Sequence, residues 1–537
     1  MIKRIFCSLF IIIMVLALSQ CAKRGTPSGG EKDSTPPKLL SAEPENMTIN
    51  FKAKKIRLYF DEYIKLKDVQ KQLIVSPPLK YNPLITPQGS ASKFIEITIK
   101  DTLKENTTYT LNFGQSITDN NEGNPNSFLT YVFSTGTYID SLTVSGVVQD
   151  AFNKKVGQFI SVMLYELDST YTDSTLYKRP PNYITNTLDS STTFKLNYLK
   201  KGKYALFAVK DEGKNNLFDQ EVDKIGFVTD TITLPTDSTY VLSLFKEIPD
   251  YRAAVPSYVA KNRILFGYKG ESKNIAIEPL TKLPDTIKTK ILKATGKDTL
   301  NYWFTPFETD SIVFEVANDK WKVKDTFTVK SRKLAADSLV LTPNQKGALT
   351  FGERFYIGAN TPLVQIDTAK FALMNKDSIP VKFLSKLDSV QNRVMVDFDL
   401  EPNEKYTMDL LPGAIIDFFG TANDTIAYKL STNSYADYGN LGLTLVGNPT
   451  YPLIVQLTDE AGKTKREIYA TEPRDFQFNN LKPSKFMIRV IYDSNSNGVW
   501  DTGNYLQKKR PEKVIYYPTV IEVRANWELV ETFNLLD

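Results

Sequence analysis

The stretch DSNSNGVWD contains the side chains in this sequence that are best suited to bind a ligand. Asp493, Asn495, Asn497 and Asp501 alternate along it, and with the main-chain carbonyl of Val499 they have the spacing of calcium-loop ligands. Calcium prefers such oxygen donors, and they converge on one ion when the chain bends between them. A structural Ca²⁺ site is therefore one interpretation of this stretch, and no cofactor is required.

The same stretch is also typical of a tight surface turn, in which Asp and Asn side chains accept hydrogen bonds from their own backbone. Gly498 allows the bend that either structure needs, but Asn504 stands where an EF-hand loop requires Glu. An earlier stretch, DEGKNNLFD from Asp211 to Asp219, has the same frame with fewer ligand-type residues. Both interpretations stay open, and the turn is favoured.

The composition argues against catalysis. Histidine is absent from all 537 residues, which excludes Ser-His and Cys-His pairs, histidine bases and histidine zinc ligands. The adjacent carboxylates Asp61 and Glu62 would point to opposite faces of a strand. A formal charge of +5 is too small for this length to indicate a nucleic-acid partner. We predict a protein that is not an enzyme and has no catalytic residues.

The N-terminus, MIKRIFCSLFIIIMVLALSQC, has the layout of a secretory signal peptide. Lys3 and Arg4 precede an apolar run that is shorter than the roughly 20 residues of a membrane span. We predict that residues 1–20 are removed and that Cys21 becomes the lipid-modified, palmitate-bearing first residue of a lipoprotein. An uncleaved anchor with an incidental cysteine is the alternative. Residues 21–37, rich in Gly, Pro and Ser, would form a tether.

The rest of the chain has the pattern of short β-strands. KKIRLYFDEY, for example, places Ile56, Leu58 and Phe60 on one strand face. No long amphipathic helix is visible, and turn residues recur at the spacing of β-sandwiches. The chain is too long for one hydrophobic core. The predicted fold class is therefore all-β, a tandem array of about five Ig-like or transthyretin-like β-sandwich domains after the signal peptide.

Two pairs of similar segments indicate that a two-domain unit occurs twice. FKLNYLKKGKYALFAVKDEGKNNLFD, from Phe194, aligns without a gap on FQFNNLKPSKFMIRVIYDSNSNGVWD, from Phe476. LKENTTYTLNF, from Leu103, parallels LEPNEKYTMDL, from Leu400. We number the predicted domains as modules 1 to 5, with the boundaries 38–137, 138–249, 250–332, 333–433 and 434–537.

Particular motifs add a family resemblance. Residues 36–137, with TPPKLLSAEPENMTINFKAKKIRLYFDEYI and the closing YVFSTG, resemble the bacterial Ig-like domain of S-layer-type proteins, and module 4 would be its second copy. Modules 2 and 5, with NYLKKGKYAL and NNLKPSKFMI, are similar to the transthyretin-like or carboxypeptidase-regulatory-type β-sandwich. Gly202 keeps the glycine of that pattern, whereas Ser484 replaces it in module 5. CAKRGTPSGGEKDSTPPKLL before such domains resembles a family of Bacteroidota outer-membrane lipoproteins.

The resemblance implies a lipid anchor on Cys21 in the outer membrane, on the cell surface rather than the periplasmic face. It implies a non-catalytic structural or accessory subunit of an envelope complex, such as the machinery that assembles or exports outer-membrane β-barrel proteins. Its partners would be integral β-barrel proteins or other surface lipoproteins. The alternative is a surface glycan-binding lipoprotein of a nutrient-uptake system. Its sugar-stacking candidates are Trp303, Trp321, Trp500 and Trp527, although a lone Trp in a β-sandwich more often packs in the core.

Overall fold

The computed structural model of the chain describes residues 33–127, 129–187, 192–271 and 273–535. Cys21 and the predicted signal peptide lie outside the described residues. Within those ranges strands dominate, and helices are limited to one α-helical turn and three short 3-10 segments. No helix of the described part is long and apolar enough to cross a membrane. The all-β prediction is confirmed, and the chain is built from tandem β-sandwiches.

The described residues group into two compact units. Unit one contains 33–143, 182–187 and Leu196–Lys201, and unit two contains Val144–Pro181, 192–195 and the described residues from Gly202 onward. Four clusters of buried apolar side chains lie one each in modules 1, 3, 4 and 5. The predicted module boundaries stay a prediction, and the module numbers are used as labels.

Module 1 lies in unit one and has two sheets. Its strands are β1 (Leu39–Glu43), β2 (Lys55–Leu66), β3 (Ile74–Ser76), β4 (Leu84–Thr86), β5 (Ser92–Thr98), β6 (Thr108–Asn112), β7 (Ile117–Asp119) and β8 (Thr130–Ser134), with helix α1 (Val69–Gln72) after β2. One sheet has the order β1-β2-β5-β4 with β7 on β2, and the other has the order β3-β6-β8. Ile56, Leu58 and Phe60 are all buried in the core, as their alternation predicts.

Module 2 follows with eight strands. They are β9 (Leu142–Asp150), β10 (Ser161–Glu166), β11 (Tyr183–Asn186), β12 (Thr193–Leu199), β13 (Gly202–Lys210), β14 (Lys224–Phe227), β15 (Ile232–Leu234) and β16 (Thr239–Leu244), with a 3-10 segment at Thr175–Tyr177. Within unit two, β13 pairs with β10, β14 and β15. Strand β16 runs parallel to β9.

Modules 3 and 4 lie in unit two. Module 3 has β17 (Arg252–Ala253), β18 (Ser257–Ala260), β19 (Arg263–Lys269), β20 (Ile275–Pro279), β21 (Thr289–Lys293), β22 (Thr299–Phe304), β23 (Ser311–Asn318) and β24 (Val323–Lys330). Module 4 has β25 (Leu341–Pro343), β26 (Gly347–Ala348), β27 (Phe355–Ala359), β28 (Leu363–Ile366), β29 (Phe371–Met374), β30 (Leu384–Asp388), β31 (Arg393–Asp397), β32 (Lys405–Leu410), β33 (Ile415–Asp417) and β34 (Ile426–Ser431), with a 3-10 segment at Thr368–Lys370 after β28. A further 3-10 segment, Tyr435–Asp437, lies at the start of module 5. The strand pairs of module 3 are antiparallel, and those of module 4 are antiparallel except for β26, which runs parallel to β34.

Module 5 has the same strand pairing as module 2. Its strands are β35 (Gly439–Val446), β36 (Leu453–Thr458), β37 (Thr464–Ala470), β38 (Phe476–Leu481), β39 (Ser484–Tyr492), β40 (Val514–Tyr516), β41 (Ile521–Val523) and β42 (Glu528–Asn534). Strand β39 pairs with β36, β40 and β41, as β13 pairs with β10, β14 and β15. Strand β42 runs parallel to β35, as β16 does to β9.

The central strands of modules 2 and 5 are buried on both faces. In β13 the run from Leu206 to Val209 is buried, and in β39 so is the run from Phe486 to Ile491. A strand with one solvent-facing side would alternate between buried and exposed residues. Another element must therefore cover the outer face of each sheet, and that element lies in the partner module.

Candidate functional site

The predicted ligand stretch forms a loop directly after β39, which we call the Asp493 loop (residues 493–501). Asp493 is buried, and its carboxylate accepts hydrogen bonds from the backbone N–H groups of Asn497 at 3.1 Å and Gly498 at 2.8 Å. The side-chain oxygen of Asn497 accepts a hydrogen bond from the N–H of Val499 at 2.8 Å. Burial alone would raise the pKa of Asp493, but these N–H groups hold that pKa below its usual value.

Three of the predicted calcium ligands meet at one point of the loop. The side-chain amides of Asn495 and Asn497 both donate to one carboxylate oxygen of Asp501, Asn497 at 2.9 Å. Among the residues that the structure describes, no three Cys, His, Asp or Glu side chains are grouped to hold a metal ion. The loop is thus closed by hydrogen bonds of its own groups, and the calcium interpretation stays a prediction.

We expect the melting temperature of the purified chain to be the same in millimolar Ca²⁺ as in excess chelator. The backbone already occupies both oxygens of Asp493, so the loop keeps its shape without an ion. Differential scanning calorimetry measures this directly. A Ca²⁺-dependent rise in melting temperature that disappears in Asp501→Asn would contradict the turn interpretation and assign Asp493, Asn495, Asn497, Val499 and Asp501 as ligands.

A carboxylate outside the predicted ligand set braces the loop. Glu512 is almost fully buried, and one of its oxygens accepts hydrogen bonds from the N–H and hydroxyl of Ser494, both at 2.7 Å. The other oxygen accepts the N–H of Asp501 at 3.0 Å. Glu512 therefore ties the beginning of the loop to its end.

Module 2 contains the same brace. Asp223 is buried and accepts the N–H of Glu212 at 2.9 Å and the N–H of Asp219 at 2.8 Å, one with each oxygen. Burial raises the pKa of Asp223 above its usual value. The gapless alignment of the two segments ends at Asp219 and Asp501 and so does not include Asp223 and Glu512. Module 5 has an insertion between Asp501 and Glu512, which places the second carboxylate at a different distance along the chain.

Replacing Glu512 with Ala is expected to destabilise the loop by about 2 kcal/mol, because the partly buried N–H groups of Ser494 and Asp501 lose their acceptor. Hydrogen exchange of the loop amides should then be faster by about 30-fold. Mass spectrometry of the peptide that spans the loop measures this rate. Glu460→Ala, at an exposed position of the same module, is the control and should leave the rate unchanged. Equal protection in both variants would contradict the role of Glu512.

The insertion, residues 502–511, is a hairpin that we call the finger, and it reaches module 2. Asn504 and Lys509 exchange backbone hydrogen bonds at 2.8 and 2.9 Å across it. A Cβ on Gly503 would lie 2.6 Å from the carbonyl oxygen of Lys509 and 2.8 Å from the ring of Phe245, so a larger residue does not fit. The base of the finger therefore contacts Phe245, the residue that follows strand β16 in module 2.

Tyr505 anchors the finger in module 2. Its side chain is 2% exposed, and its ring lies edge-on to the rings of Phe207 at 5.1 Å and Phe227 at 5.3 Å between centroids. This edge-to-face geometry is favourable for aromatic rings. Phe207 lies on β13 and Phe227 on β14, so Tyr505 covers the outer face of the module 2 sheet.

Polar contacts fix the anchor. The N–H of Tyr505 donates to the carboxylate of Glu247, and its hydroxyl donates to Asp173 at 3.1 Å. Lys508 bonds the same Asp173 at 2.8 Å and lies 4.0 Å from the centre of the Tyr505 ring. The Lys508 ammonium holds the pKa of Asp173 below its usual value, whereas burial raises the pKa of Glu247. These contacts orient Tyr505 at both its backbone and its hydroxyl.

A second contact runs in the opposite direction, from module 2 to module 5. Phe152, after β9, lies 3.9 Å from the guanidinium of Arg489. Arg489 is 1% exposed and donates to Gln456 at 2.7 Å, to the Tyr516 hydroxyl at 3.2 Å and to Thr464 at 3.3 Å. All these partners are neutral. A buried arginine is therefore solvated by amide, hydroxyl and aromatic groups, and the ring of Phe152 closes it from water.

The four tryptophans have different surroundings. Trp303 is buried and Trp321 is partly buried. Trp500 packs on Phe152 at 4.5 Å between centroids, and Trp527 is 45% exposed with the Arg524 guanidinium 5.0 Å from its ring centre. Of the four, Trp527 alone presents a largely exposed ring, and Arg524 lies over it.

Comparison with known proteins identifies the first domain. Residues 33–135 match a family described as bacterial Ig-like domain, which confirms the Ig-like part of the resemblance for module 1. Among curated proteins, none matches the chain.

The comparison with solved structures found several similar proteins, all with TM-scores far below 0.5. The surface layer protein SbsC, domains 1–6, is 12% identical, with 88% of this chain and 67% of that chain covered and a TM-score of 0.14. BcpA, the major pilin subunit of Bacillus cereus, is 9% identical, with 74% and 99% covered and a TM-score of 0.14. A segment of titin is 9% identical, with 52% and 98% covered and a TM-score of 0.13. Likeness at this level carries no argument about function.

Proposed function

We propose that the protein is a non-catalytic lipoprotein of the outer membrane that serves as a structural or accessory subunit of an envelope complex. The docking of the finger onto module 2 is the observation that carries this proposal. The Asp493 loop is closed by its own hydrogen bonds, and the finger that follows it contacts module 2. These contacts hold modules 2 and 5 together, which suits a scaffold that keeps surfaces in fixed positions.

The charged groups of this region support a non-enzymatic role. Asp493, Glu512 and Asp223 are buried, and backbone N–H groups occupy their oxygens. A catalytic carboxylate needs an oxygen that can reach a substrate. These carboxylates hold loops together instead.

The signal peptide, Cys21 and the bacterial Ig-like domain at residues 33–135 support the proposed location. Cys21 anchors the protein by lipid, on the cell-surface side of the outer membrane. Its partners are integral β-barrel proteins or other surface lipoproteins, and the complex is the machinery that assembles or exports outer-membrane β-barrel proteins.

Affinity isolation of the tagged, lipidated protein from its native membranes in mild detergent tests the proposal. We expect integral β-barrel proteins to come with it in stoichiometric amounts after a high-salt wash. Cys21→Ser, which removes the lipid acceptor, is the matched control, and this variant should be lost from the membrane fraction. Recovery of the lipidated protein alone would contradict the proposal.

A further inference from the structure

A groove of about 580 Å³ lies between modules 2 and 5, beside the finger. On the module 2 side it is lined by Gln149 and by Val241 and Ser243 of β16, and Val241 is 57% exposed. On the module 5 side it is lined by β40, Val514–Tyr516. Strand β40 is the terminal strand in the sheet order β37-β36-β39-β40. The groove therefore combines an apolar surface with the edge of a sheet.

Two acidic groups that line the groove, Asp150 and Glu512, have partners within the protein. Asp150 forms an ion pair with Lys224 and accepts the N–H of Phe152 at 3.0 Å. Glu512 is the loop brace, and its oxygens accept hydrogen bonds from Ser494 and Asp501. Both carboxylates therefore already have hydrogen-bond or ion-pair partners within the protein.

Two basic groups that line the groove, Arg510 and Lys154, contact neutral partners. Arg510, on the finger, is exposed and donates to the hydroxyl of Thr229 at 3.1 Å. Lys154, after β9, is exposed and donates to the carbonyl oxygens of Tyr517 at 3.0 Å and Pro518 at 2.8 Å. Two positive charges that line the groove are thus without a carboxylate partner among the described residues.

We propose that this groove binds an extended, acidic segment of a partner protein, which pairs with the edge of β40. Edge strands accept an additional strand through their backbone groups, and pockets for alternate side chains give specificity. Apolar side chains of the segment would lie on Val241 and Val514, and its carboxylates would pair with Arg510 and Lys154. The inference deepens the proposed function, because it states the chemistry of the partner segment.

Fluorescence anisotropy with the full chain in mild detergent tests the groove. The probe is a fluorescein-labelled peptide of about eight residues that alternates Val and Glu. We expect saturable binding that weakens as salt is raised, and about tenfold weaker binding for the double variant Lys154→Gln, Arg510→Gln. The control variant Lys288→Gln, Lys297→Gln removes two exposed lysines of module 3 and should bind like the wild type.

The same peptide with Lys in place of Glu should not bind, and N-methylation at alternate residues of the Glu peptide should abolish binding by blocking strand pairing. The proposed binding of an acidic segment would be overturned by equal binding of both peptides, by no effect of the double variant, or by binding that does not saturate. This outcome is separable from the isolation experiment. If partners are recovered from membranes but the peptide does not bind, the proposed function is supported and the groove proposal is contradicted. If the peptide binds but no partners are recovered, the groove proposal is supported and the proposed function is contradicted.

Discussion

Replacing Tyr505 with Ala is expected to release the finger from module 2 and to lower the free energy of unfolding by about 3 to 5 kcal/mol. The ring is 2% exposed and packs against Phe207 and Phe227, so its removal leaves a cavity in the contact between the modules. The substitution also removes the hydroxyl that bonds Asp173. Chemical denaturation measures the loss of stability, and hydrogen exchange of residues 502–511 shows whether the finger is released.

Two matched variants separate the contributions of Tyr505. Tyr505→Phe keeps the ring and loses only the hydroxyl, so we expect a cost of about 1 kcal/mol. Tyr138→Ala removes a tyrosine that is 60% exposed and should change stability by less than about 0.5 kcal/mol. Unchanged protection of the finger in Tyr505→Ala would show that the anchor does not hold modules 2 and 5 together.

The second large effect is expected at Arg489, where the conservative substitution should be the more harmful one. Arg489→Lys keeps a buried charge but loses the planar group that reaches Gln456, Tyr516 and Thr464 and stacks on Phe152. We expect it to lower the free energy of unfolding by about 3 kcal/mol. Chemical denaturation of the full chain measures this value.

Arg489→Met is the comparison, because methionine fills a similar volume and carries no charge into the interface. We expect a smaller cost of about 1 to 2 kcal/mol, because no charge is left buried and the side-chain oxygen of Gln456 loses its donor. If Lys is tolerated and Met is not, the charge of Arg489 rather than its shape stabilises the contact. That result would contradict the stacking and hydrogen-bonding role assigned to it.

The sequence alone determined the strand pattern and the repeat. Ile56, Leu58 and Phe60 alternate with polar residues, and such alternation is a local property that any half-buried strand shares. The similarity of the segments from Phe194 and Phe476 likewise appears in the structure, as the matching sheets of β13 and β39. The Ig-like motifs near the N-terminus also predicted the domain found at residues 33–135.

One local signal of the contact between modules 2 and 5 was present in the sequence. LIVQLT in β36 and FMIRVI in β39 are nearly continuous apolar runs, which indicate strands buried on both faces. They do not state what covers the second face. Gln456 and Arg489 are polar residues within these runs, so the sequence does not indicate that they are themselves buried.

Only the tertiary structure decided what the Asp493 loop and the finger do. The spacing of Asp493, Asn495 and Asn497 suits either a turn or an ion, because both need oxygens that converge at a bend. The folded chain showed Glu512 bracing the loop. It also placed Tyr505 against Phe207, nearly three hundred residues earlier in the chain. Periodicity and spacing report on neighbours along the chain, whereas such a contact depends on the folding of every module between its two sides.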